Sequence, residues 1–111
     1  MTETHFTQIT DREALDEALA RSSQEPVILF KHSTTCPISA AAYRQMSEMG
    51  GDVSLVVIQH AREVSREVEE RTGVRHESPQ AIILKDGKAV WTASHFDITA
   101  GAVERAVREN T

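Results

Sequence analysis

The sequence contains little cysteine, few aromatic residues and no long apolar segment. Its 111 residues include one cysteine, three prolines and 5% aromatic residues. The longest apolar runs, such as Val27–Phe30 and Ala81–Leu84, have four residues each, whereas a membrane-spanning helix needs about 20. A single cysteine also excludes an internal disulfide. We therefore expect no membrane partner and a fold that depends on a hydrophobic core.

Charge and composition further restrict the class of protein and the partners that it could bind. The 12 Lys and Arg and 17 Asp and Glu give a net charge of -5, which disfavours nucleic acids and anionic membranes as partners because their phosphates are repelled. With 40% hydrophobic and 26% charged residues, the composition is that of a globular protein. The length favours a single domain over residues 1–111. The first residues have neither the basic nor the apolar part of a secretory signal, so the expected location is the cytoplasm.

Apolar patterns of period 2 and period 3.6 alternate along the chain and predict an α/β protein. The predicted elements are a helix over 11–22 opened by the capping box Thr10–Glu13, a strand from Val27 to about Lys31, a helix from Cys36, a strand over 54–59, a helix over 62–72, strands over 81–85 and 89–93, and a last helix capped by Thr99. Asp86-Gly87 predicts a type I′ hairpin between the last two strands. After the first helix, this is the order of a thioredoxin fold. We therefore expect a four-stranded mixed sheet flanked by helices, with an extra N-terminal helix.

The lone cysteine lies where a strand passes into a helix. Cys36 precedes Pro37, and proline is favoured in the first helical turn. The free N–H groups and the dipole of a helix N terminus favour an anion, and they can lower a thiol pKa from about 8.5 to roughly 3.5–7.5. A lone cysteine is commonly a buried core residue, but Cys36 is out of phase with the apolar stripe that follows it. We therefore predict a reactive thiolate at the loop end of the sheet.

Two basic residues before the cysteine are candidates for tuning this thiolate. Lys31 and His32 could add positive potential, although His32 could equally be a solvated loop residue. A metal site built from Cys36 and the histidines is disfavoured, because the histidines lie in different segments without compact ligand spacing. We predict no metal.

The residue three positions after the cysteine bears on the type of exchange chemistry. Dithiol oxidoreductases carry there a second cysteine that resolves the mixed disulfide, whereas this chain has Ser39. A mixed disulfide on Cys36 must then persist until an outside thiol attacks it. This predicts a one-thiol cycle, unless Ser39 is simply an ordinary polar residue of a first helical turn.

Four segments together resemble the YtxJ-type monothiol bacilliredoxins. They are His32–Ser39, His76–Gln80, the hairpin Lys85–Lys88 leading to Val90-Trp91, and Ser94–Thr99. The resemblance covers nearly the whole chain, and the Thr-Cys-Pro-Ile-Ser site is its most specific part. It implies a thiol-disulfide oxidoreductase that removes bacillithiol from S-bacillithiolated proteins, with Cys36 as the nucleophile. It implies no bound cofactor, with bacillithiol as co-substrate and S-bacillithiolated proteins as partners in redox homeostasis.

The resemblance also indicates the substrate-binding residues. Pro79 matches the proline that thioredoxin folds hold in cis beside the active cysteine, whereas X–Pro bonds in general are cis in only about 5–6% of cases. A cis bond would leave the backbone of Ser78 available for β-type pairing with an extended substrate. We therefore expect Thr35, Pro37, Ser39, Ser78 and Pro79 to bind substrate.

A second class of function stays open. The same fold could be a non-catalytic redox sensor or protein-binding module, whose single thiol is capped under oxidative stress and alters a partner contact. Glutathione also remains a competitor for bacillithiol, since no residue in the sequence reads out the sugar of that thiol.

Overall fold

The computed structural model describes residues 3–111, which form one mixed sheet covered by helices on both faces. In chain order the elements are β1 (Thr4–Gln8), α1 (Arg12–Arg21), β2 (Val27–His32), α2 (Pro37–Met49), β3 (Gly51–Val57), α3 (Arg62–Thr72), β4 (Gln80–Lys85), β5 (Lys88–Ser94), a 3-10 turn (His95–Asp97) and α4 (Ala100–Glu109). The strand order is β1-β3-β2-β4-β5. β3 runs parallel to β1 and β2, while β4 runs antiparallel to β2 and β5. This is the predicted thioredoxin fold.

The predicted number of four strands is wrong, because the sheet has a fifth strand, β1. The helix predicted at 11–22 forms as α1, but it is the second half of a β1–α1 unit and not an extra N-terminal helix. β1 escapes prediction because it is an edge strand of five mostly polar residues, of which Phe6 alone packs against the core. The side-chain hydroxyl of Thr4 in β1 accepts a hydrogen bond from the N–H of Gly50 at 2.9 Å. This bond connects β1 to the end of α2.

Side chains of β2 alternate between two hydrophobic clusters. On one face Ile28 and Phe30 pack with residues of α2 and α4, such as Met46 and Val103. On the other face Val27 and Leu29 pack with residues of α1 and α3. A strand buried on both faces reads as a continuous apolar run, which is why β2 is detectable in the sequence.

The start of α1 and the turn between β4 and β5 form as local sequence signals predict, except that the N-cap of α1 lies one residue later than expected. The N-cap of α1 is Asp11 and not Thr10, because the Asp11 carboxylate accepts from the N–H of Ala14 at 2.8 Å. Asp86 and Gly87 have φ values of 53° and 74°, as a type I′ turn requires.

Candidate active site

The site begins at Cys36, which is the N-cap of α2. The residue has extended backbone angles (φ -101°, ψ 124°), and Pro37 follows in the first turn. Its carbonyl accepts from the N–H of Ala40 at 3.0 Å, so the helix starts immediately after it. Cys36 as a residue is partly exposed to solvent.

The first turn of α2 stabilises the thiolate. The backbone N–H groups of Ser39 and Ile38 lower the pKa of Cys36, and the Ser39 side chain adds a smaller contribution in the same direction, while desolvation opposes them. These are the free donors that every helix N terminus presents. They are also the groups from which the sequence analysis predicted a lowered pKa for Cys36.

Ser39 has a structural role beside its effect on the thiol. The side chain is fully buried, and its hydroxyl accepts from the N–H of Ser33 at 3.2 Å. This contact fastens the loop before Cys36 to the first turn of α2, which fixes where the thiol stands relative to the sheet.

A second clamp on this loop comes from Gln59, just after β3. Its amide nitrogen donates to the hydroxyls of Ser33 at 2.8 Å and Thr35 at 3.2 Å. Its amide oxygen accepts from the N–H of Thr34 at 3.3 Å. Sequence reasoning missed Gln59 as a site residue. The available signal was its place at the carboxyl end of β3, where parallel strands present side chains to a common edge.

His32 lies next to the helix that carries the thiol. Its ring is 5.0 Å from that of Tyr43 and 5.7 Å from that of Phe30, measured between centroids. Burial lowers the pKa of His32, and a backbone contact with Ser39 partly opposes this. This shift favours the uncharged ring, which weakens any positive potential that His32 adds at the thiolate. Its Nδ1 is buried without a hydrogen-bond partner among the described residues.

Lys31 points to the other face of the sheet, in the direction of α3. Its Nζ donates to the carbonyl of Ser65 at 3.1 Å and to Nδ1 of His76 at 3.1 Å. The structure therefore brings Lys31 to the segment before β4 and not to the first turn of α2.

The Ser78–Pro79 bond is cis, as the resemblance indicated. In the antiparallel register of β2 and β4, the last pair is Lys31 with Gln80, so the cis-proline comes one residue before this pair. The carbonyl of Pro79 accepts from the N–H of His95 at 3.0 Å. The segment that contains the two residues expected to bind substrate therefore leads into β4 at the end of β2 from which the chain continues to Cys36.

Two further properties concern metals and membranes. Across residues 3–111, no three His, Cys, Asp or Glu side chains are grouped so that they could hold a metal ion. None of the helices in the described part of the chain combines the length and apolar character that crossing a bilayer requires.

A thioredoxin fold with one cysteine at the N terminus of α2 defines a monothiol member of the thioredoxin-like proteins. Residues 7–103 match the model of the monothiol bacilliredoxin BrxC family. The chain belongs to this family.

Solved structures agree with the fold. A protein described as a candidate oxidoreductase with a thioredoxin fold is similar over 91% of this chain and 92% of its own, with 29% identity and a TM-score of 0.82. Thioredoxin NaTrxh from Nicotiana alata is similar over 99% of this chain and 96% of its own, with 14% identity and a TM-score of 0.74. The Malassezia sympodialis thioredoxin Mala s 13 covers 97% of this chain and 91% of its own, at 13% identity and a TM-score of 0.73.

Proposed function

We propose that this protein removes bacillithiol from S-bacillithiolated proteins in the cytoplasm. The observation that carries the proposal is the position of Cys36 as N-cap of α2, where backbone N–H groups lower its pKa. It is the only cysteine of the chain, and a buried Ser39 occupies the position of a resolving cysteine. Membership of the monothiol bacilliredoxin family supports bacillithiol as the transferred thiol.

The cycle has two thiol-disulfide exchanges. The Cys36 thiolate attacks the bacillithiol sulfur of the mixed disulfide, the bond between this sulfur and the client sulfur breaks, and the electron pair leaves with the client as its thiolate. Free bacillithiol then attacks the Cys36–bacillithiol disulfide as a thiolate and regenerates the Cys36 thiolate. One free bacillithiol is consumed, and the disulfide bond passes from the client to bacillithiol disulfide. In this proposal bacillithiol is the co-substrate, and no bound cofactor or metal takes part.

The residues around the thiol have distinct roles in the proposal. Thr35 and Pro37 are exposed beside Cys36 and contact the incoming disulfide. Ser78 and Pro79 bind the extended client segment through the Ser78 backbone, in the manner of an added β-strand. Ser39 does not contact the substrate in this proposal. Its hydroxyl fixes the loop before Cys36, and its backbone N–H and side chain stabilise the thiolate.

The test is the intact mass of the reduced protein after incubation with a bacillithiolated client, compared with a Cys36→Ser variant. We expect one bacillithiol adduct on the wild type and a matching loss of bacillithiol from the client, and neither with the variant. Equal rates of client recovery with both proteins would refute the proposal. A parallel incubation with a glutathionylated client tests the thiol, and faster transfer of glutathione would refute the bacillithiol assignment.

A binding or sensing module gives a different result. Such a module retains its affinity for a partner in the Cys36→Ser variant under reducing conditions and shows no turnover with free bacillithiol. Adduct formation without release by excess bacillithiol would therefore favour that alternative.

A further inference from the structure

A buried cation joins three elements on the face of the sheet opposite α2. Lys31 in the central strand β2 has no exposed surface, which is rare for a lysine without partners. Its ammonium donates to the Ser65 carbonyl in α3 and to Nδ1 of His76, both at 3.1 Å. The lysine thereby links β2, α3 and the segment before β4.

His76 lies in the irregular segment that leads to the cis-proline. Residues 73–77 form neither helix nor strand, so side-chain contacts determine their course. The N–H of His76 donates to Glu69 at 2.8 Å, and its Nδ1 lies 3.2 Å from the Ser65 hydroxyl. On the far side of the proline, Gln80 donates to the carbonyl of Arg75 at 2.9 Å. The attachment of His76 is thus two residues from Ser78.

We propose that Lys31 is a positioning residue, which holds His76 and thereby the Ser78–Pro79 segment in the geometry that binds an extended substrate. The proposal rests on the proposed function only in that Ser78 and Pro79 bind the mixed-disulfide substrate. The attachment itself can be tested without turnover. Replacing a buried charge by an apolar side chain of similar size is often neutral or stabilising, so stability alone does not account for a lysine at this position.

The attachment depends on the protonation of both partners. Burial lowers the pKa of Lys31 to about 8, and partial desolvation of its ring together with the Lys31 charge lowers the pKa of His76. Neutral His76 with its proton on Nε2 accepts from the ammonium at Nδ1, whereas protonated His76 repels it. The other charged groups near the pair are Glu69, Arg62 and Arg66 of α3 and Glu77 of the segment before β4. We therefore expect the tightest substrate binding between the pKa of His76 and about pH 8.

The experiment compares Lys31→Met and His76→Ala with the wild type. His5→Ala is the control, because it removes an exposed histidine from the edge strand β1. The substrate is a peptide that carries bacillithiol as a mixed disulfide on its single cysteine. We expect KM to rise roughly fivefold to tenfold in both variants, because only molecules with a correctly placed segment bind substrate. We expect kcat and the rate of Cys36 alkylation by iodoacetamide to stay within about twofold, and the double variant to add nothing to either single change.

Two outcomes of the kinetics overturn the proposal. One is an unchanged KM in His76→Ala, a variant that alters an exposed residue and so decides the matter even if Lys31→Met folds poorly. The other is a fall in kcat or in alkylation at constant KM, which would assign the effect to the thiolate.

A readout without turnover separates this proposal from the proposed function. In Lys31→Met, the pKa of His76 measured by NMR should rise because the neighbouring charge is gone, and the Ser78 amide should exchange its hydrogen faster. If both stay as in the wild type, the attachment does not exist. A wild type that releases no bacillithiol would instead refute the proposed function, and the NMR result would still decide the role of Lys31.

Discussion

Burial of Lys31 should cost the folded protein stability at neutral pH, and replacing it by methionine should recover that stability. The folded protein holds this amine at a pKa of about 8 against an ordinary 10.5, mainly through desolvation. A gap of that size corresponds to roughly 3 kcal/mol, since one pKa unit is worth about 1.4 kcal/mol. Below about pH 8 the lysine is charged in both states and the full penalty applies. Between about pH 8 and 10.5 the unfolded chain binds the extra proton, so stability rises with pH in this window.

Urea unfolding of the wild type and Lys31→Met from pH 7 to 10.5, with a reducing agent present, measures this effect. Other groups titrate in both proteins and largely cancel in the difference between their free energies of unfolding. That difference should shift by roughly 3 kcal/mol across the range, in the direction that favours the variant at pH 7. Lys88→Met removes an exposed lysine from the hairpin and is the matched control for net charge, with a difference within about 0.5 kcal/mol. A pH-independent difference for Lys31→Met would refute the buried-charge argument.

Four further substitutions probe the site and the core. Gln59→Leu removes three hydrogen bonds from the loop before Cys36, and we expect client turnover to fall roughly tenfold through misplacement of the thiol, as measured by initial rates; an unchanged rate would contradict the clamp. Ser39→Ala should raise the pKa of Cys36, seen as an upward shift in the ultraviolet titration of the thiolate. Ser39→Cys should convert the protein to a dithiol that loses its bacillithiol adduct by forming an internal disulfide, so a persistent adduct in the mass spectrum would count against it. Met46→Ala empties a fully buried position and should lower the free energy of unfolding by about 2–5 kcal/mol, measured in urea.

Elements with a strong local pattern could be predicted closely. The helix predicted over 62–72 is α3, Arg62–Thr72, and it ends at Gly73 with a φ of 73°, because a glycine after the last turn is a reliable stop signal. By contrast, β3 is Gly51–Val57 and not 54–59. Its first residues are not apolar, and they pair with β1, a strand that the apolar pattern did not reveal.

The site residues also fall into those that the sequence could predict and those that it could not. The environment of Cys36 could be predicted, because a helix N terminus acts on the nearest residue whatever the rest of the fold does. The direction of Lys31 could not, since β2 is apolar on both faces and its pattern contains no distinction between them. Gln59 was missed for a related reason. Its contacts span 24–26 residues of sequence, and only the assembled sheet brings its amide to the loop.

The β1–α1 unit sets a lower limit on the length of a working chain. Ser22, at the end of α1, accepts from the N–H groups of Asp86 and Gly87 at 2.9 and 2.8 Å. Leu15 and Ala18 of the same helix cover one face of the sheet. A truncated chain that began at β2 would therefore leave the hairpin tip without these acceptors and a hydrophobic surface open to aggregation. Engineering a smaller carrier of the Cys36 site thus requires a replacement for α1, even though that helix contributes no residue to the site.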